Sequence, residues 1–162
     1  MRPNRLSRVG HKESRSSKEN MIELIQELIE LLSREGITIV DVIRKVGVIS
    51  NDPGGLMPIE VNPNVPGVKT ASLSRDPDTG QPYELTIEPT SEAKLTTAML
   101  QQAFGDYRRV RTDRGQPPQI IFYPKAKDTG WKVAILGSLQ SAAEALENQQ
   151  VSSLSLRRDQ SS

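Results

Sequence analysis

The sequence predicts an α+β fold: an antiparallel sheet of about five strands with helices packed on one face. Three observations lead there. Residues 21–35 (MIELIQELIELLSRE) carry apolar side chains at helical spacing. Residues 83–88 alternate apolar and polar with the strand period of two. Strand-like segments follow one another through short turn-rich links, with one helical segment between two groups of them. That order gives an antiparallel sheet with segregated helices, not alternating βα units.

The elements follow in chain order. Residues 1–19 hold Arg2, Arg5, Arg8, Lys12, Arg15 and Lys18 against Glu13 and Glu19, a net of +4. With so little to bury they read as a disordered basic tail. Met21 marks the change to helical periodicity and is a candidate initiator. In the first helix Ile25, Leu28 and Leu32 lie on a wide apolar face, with Glu23, Glu27 and Glu30 opposite, and Gly36 ends it. The wide face either packs on the chain's own core or forms the seam of a homodimer.

A second helix is capped by Thr38, carries Ile39, Val42, Ile43 and Val46, and stops at Gly47. Residues 51–67 (NDPGGLMPIEVNPNVPG) are a loop with at most one short strand near Ile59–Val61. A hairpin pairs Val68–Ser74 with Tyr83–Glu88 around the turn formers RDPDTGQP. A third helix spans about 91–104, capped by Thr90 or Ser91. Strands at Tyr107–Arg111, Gln119–Tyr123 and Trp131–Leu136 come next, then a modest helix from Ser138 or Ser141 to about Asn148. Residues 149–162 (QQVSSLSLRRDQSS) read as a second disordered tail. The expected organisation is one α+β domain over 20–148, helical over 20–50 and strand-rich over 56–148.

Composition bounds the function. The 162 residues are 35% hydrophobic and 25% charged, with a formal net charge of +1. Near-neutral charge argues against a chain coated in nucleic acid. No run approaches the roughly 18 apolar residues of a membrane helix, so no membrane partner is expected. The absence of cysteine removes thiol catalysis and thiolate metal sites, and fits a reducing, cytoplasmic setting. The one histidine, His11, lies in the tail, where nothing orients it. Serine–histidine and histidine–metal chemistry go with it. Glu84 and Glu88 are four strand residues apart, roughly 13 Å at about 3.3 Å per residue. That is beyond the roughly 5–9.5 Å of glycosidase carboxylate pairs. No cofactor, metal or catalytic residue is expected.

Three local patterns invite a function. Residues 36–52 (GITIVDVIRKVGVISND) resemble the first half of a helix-turn-helix, but a recognition helix from Ser50 would meet Pro53, Gly54 and Gly55 at once and carry no base-reading side chain. A plain helix–helix corner is the better reading. Asp76, Asp78, Gly80 and Glu84 loosely follow a calcium loop but lack its sixth-position glycine and twelfth-position glutamate, so a hairpin turn is expected. The third pattern is DYRRVRTDRG: Arg108, Arg109, Arg111 and Arg114 beside Tyr107.

The expectation is therefore a non-catalytic protein-interaction or regulatory module, with this arginine strand as binding face and a protein partner or a second copy as ligand. The alternative is a nucleic-acid-binding protein that uses the same arginines, Tyr107 as a stacking surface and the basic tail.

Overall fold

The computed structural model describes residues 21–113, 115–124, 130–140 and 146–159. Helix α1 covers 21–33 and α2 covers Ile39–Val46. Four strands follow: β1 (Gly47–Asn51), β2 (Ile59–Pro63), β3 (Val68–Arg75) and β4 (Pro82–Pro89). A 3-10 turn at Ser91–Ala93 precedes α3 (Thr97–Phe104), and then come β5 (Tyr107–Val110), β6 (Gln119–Phe122) and β7 (Lys132–Leu139). A second 3-10 turn at Leu146–Asn148 leads into β8 (Val151–Asp159).

All strands join one antiparallel sheet in the order β1-β2-β3-β4-β8-β7-β6-β5. The α+β class stands, but the sheet has eight strands where about five were expected. Each additional strand has a physical origin. β1 starts directly after α2 because Gly47 continues in extended backbone (φ 172°). A Cβ there would collide with the carbonyl of Asn62 on β2, so only glycine lets the two strands approach. The helix–helix corner expected here is therefore a helix–strand joint.

β8 overturns the expected C-terminal disorder. Val151, Leu154, Leu156 and Arg158 are buried, and Ser152, Ser153, Ser155, Arg157 and Asp159 take the remaining positions. The strand sits between β4 and β7, hydrogen-bonded on both sides. Its partners are more than 60 residues away on one side, so its local composition gives little sign of it. Residues 1–20 and 160–162 lie outside the described residues.

The third helix is also shorter than expected. Lys94 takes a left-handed conformation (φ 48°), and Leu95 and Thr96 stand outside the helix, with Thr96 extended. The Val151 amide donates to Leu95 O at 2.8 Å and the Thr97 amide to Gln149 O at 3.1 Å. The β8 segment thus competes for this backbone, and α3 starts afresh with Thr96 as its cap. Of the last expected helix, residues 141–145 lie outside the described set, and β7 and the 3-10 turn take the rest.

Two core rows cross the sheet. One is Ile59, Leu73, Leu85, Leu156, Ile135 and Phe122; the other is Val61, Ala71, Ile87, Leu154, Gly137 and Ile120. Met21, Ile25, Leu28 and Leu32 of α1, Val42, Ile43 and Val46 of α2, and Leu100 of α3 pack into the same cluster. Each such side chain contributes roughly 1.5–3 kcal/mol by leaving water. The opposite sheet face carries Ser72, Thr86 and Ser155, with the last two hydroxyls 3.0 Å apart. Among the described residues no helix is long and apolar enough to cross a membrane.

Candidate functional site

The arginine strand comes apart when folded. β5 is an edge strand that pairs only with β6. Arg108 faces Ile121 across the pair and Arg109 faces Ile120, so the two guanidinium groups extend from opposite faces of the sheet. Tyr107 is half-buried and meets Phe122 edge-on, with ring centroids 5.7 Å apart, so it belongs to the core margin and not to a stacking platform. Arg111 is exposed beyond the strand end, and Arg114 lies outside the described residues. Tyr123, next to β6, is the exposed aromatic of this region.

The helical dimer seam is not open either. Ile25, Leu28 and Leu32 are fully buried in the chain's own core. The carboxylate of Asp76 turns inward, accepting from the Asp78 amide at 2.8 Å and the Thr79 amide at 3.2 Å. The residue is a turn former in the hairpin. A polar cleft of about 360 Å³ opens beside Lys69, Glu88, Thr90, Gln140 and Gln150.

What sequence reasoning missed is the other edge. Among the described residues β1 pairs with β2 on one side and with no strand on the other. Val48 is 57% exposed and Ile49 46%; the β1–β2 loop adds Leu56 at 72% and Met57 at 62%. Four large exposed apolar side chains thus lie on β1 and the loop after it, with Val48 and Ile49 on opposite faces of the sheet edge. The two edges differ sharply in design. β5 is guarded by two arginines, the common way to stop an edge from recruiting another strand. β1 carries no charge from Gly47 to Asn51. Its one protection is a bulge between Ile49 and Asn51, where the Ser50 hydroxyl donates to Glu60 O at 3.2 Å.

Neighbouring groups hold this edge in place. Thr38 and Asp41 form a reciprocal capping box on α2, which leads straight into β1. Hydrogen bonding with Thr38 holds the Asp41 carboxyl below the usual carboxylate range. Beyond β1, Arg75 donates to Asp52 at 2.6 Å and the Gly54 amide donates to its other oxygen at 3.0 Å. The Arg75 hydrogen bond is the larger reason that the Asp52 carboxyl also lies below its usual range. The signal that could have located the edge was an aliphatic run, GVIS, closed by the turn NDPGG and followed by IEV. Read as a hairpin instead of a helical corner, it yields β1 and β2. No protein-family model, no curated protein and no solved structure matches this chain.

Proposed function

We propose that this chain is a non-catalytic interaction or regulatory module that binds an extended protein segment by strand addition at β1. The observation that carries the reading is the uncharged, unpaired β1 edge with Val48 and Ile49 exposed beside it. In strand addition, main-chain hydrogen bonds supply affinity and alternate side chains supply selectivity. An acidic or basic segment gains nothing from Gly47–Asn51, so the favoured ligand is an uncharged strand with apolar side chains. The cysteine-free composition supports a cytoplasmic setting.

Nucleic-acid binding has weaker support, because Arg108 and Arg109 point to opposite sides of the sheet and Tyr107 packs on Phe122. Fluorescence anisotropy with a labelled heptapeptide of alternating valine and threonine tests the reading. Val48→Lys should weaken binding about tenfold, a loss of about 1.4 kcal/mol. An Arg108→Ala/Arg109→Ala variant should bind as wild type does. Equal binding by Val48→Lys, or loss in the arginine variant, would move the site away from β1.

A further inference from the structure

The inference that goes furthest rests on this strand-addition reading and concerns who occupies the edge. We propose that the partner of β1 is a second copy of this chain, paired antiparallel about a two-fold axis through the strand. A two-fold axis sets a strand against its own reversed sequence, so a charge near the axis meets its like. β1 reads Gly-Val-Ile-Ser-Asn and has no charge to repel. The other open edge, β5, reads Tyr-Arg-Arg-Val, and pairing it with itself would set guanidinium against guanidinium.

Charge at the two ends of β1 favours the same arrangement. Arg44 and Lys45, in the last turn of α2, stand just before the strand. Asp52 stands just after it but is held by Arg75, and the exposed Glu60 lies opposite Asn51. Antiparallel pairing centred on Val48 brings the α2 end of each strand, with Arg44, towards the Asn51 end of the other, with Glu60. Val48 would then lose its exposure to water against its own counterpart, and Ile49 would stand opposite Gly47 of the other copy. The bulge at Ser50 limits regular pairing to Gly47–Ile49, so the interface is small. Interfaces at the small end of the range are transient, and a dissociation constant of roughly micromolar order is expected.

Sedimentation equilibrium on the full chain over a concentration series tests this. Wild type should show a monomer–dimer equilibrium. Val48→Lys and Val48→Glu should each raise the dissociation constant at least about tenfold. Both should melt as wild type does, because position 48 is exposed. An equimolar mixture of the two variants should dimerise again, since position 48 faces itself across the axis and opposite charges then meet. A wild type that stays monomeric at every concentration, or a dimer indifferent to both variants, overturns self-pairing. If the heptapeptide still binds in a Val48-dependent way, strand addition stands without the self-partner. If that binding is absent too, both readings fall.

Discussion

Arg158 is the residue on which most of the tertiary structure converges. It is 3% exposed, and its Nε donates to Leu32 O at 2.9 Å. Its two terminal nitrogens reach Arg34 O and Pro82 O, both at 3.1 Å. The guanidinium also stacks over Trp131, 4.4 Å from the ring centroid. The end of α1 has carbonyls without helical partners, and a buried cation there satisfies them while matching the helix dipole. The Ser33 carbonyl takes the Trp131 amide at 2.8 Å, an approach so close that a Cβ on Gly130 would strike that same oxygen. Burial holds the Arg158 pKa below the ordinary arginine value. Arg158→Leu should cost roughly 3 kcal/mol in urea unfolding, because buried carbonyls lose their donors. Arg158→Lys should recover only part of this, since an ammonium lacks the planar fork. Nothing in LRRD announces a buried arginine. Its partners come from the end of α1 and the residue after it, from the start of β4 and from the segment before β7, so only the fold reveals the role.

At the scale of elements, local signals were legible where structure is locally decided. The α2 boundaries follow from Thr38 and Gly47, and the β3–β4 hairpin follows from its alternation and its turn residues. The elements that escaped are those decided by distant partners. β8 takes its place from β4 and β7, and the Leu95–Thr96 link is held by hydrogen bonds to the segment entering β8. The same holds for the candidate site. Four arginines close in sequence read as one patch, yet strand alternation sends Arg108 and Arg109 to opposite faces.

The α2 cap carries an expectation of its own. Asp41 and Asp52 titrate below their unfolded values, so they stabilise the fold above the unfolded carboxyl value of about 3.9 and lose that contribution as pH falls through their folded values. The thermal midpoint should therefore drop between pH 7 and pH 3. Thr38→Ala should lower it at pH 7, by about 1 kcal/mol of stability, and should flatten part of the acid dependence. An acid profile unchanged by Thr38→Ala would mean that the capping box contributes nothing.

For the whole molecule, an open sheet has two edges, and this one treats them unequally. One ends in paired arginines. The other ends in an uncharged strand with Val48, Ile49, Leu56 and Met57 exposed. Placing β8 in the middle of the sheet leaves β1 and β5, among the described residues, as the strands with a free side. The proposed site is the uncharged one of the two, β1. Amide hydrogen exchange on the full chain, followed as protein concentration rises, reads this choice most directly. Amides of Gly47–Asn51 should become slower to exchange with increasing concentration, while those of Tyr107–Val110 should not change. Protection that grows at β5 instead, or at neither edge while the heptapeptide leaves β1 unprotected, would contradict β1 as the interaction site.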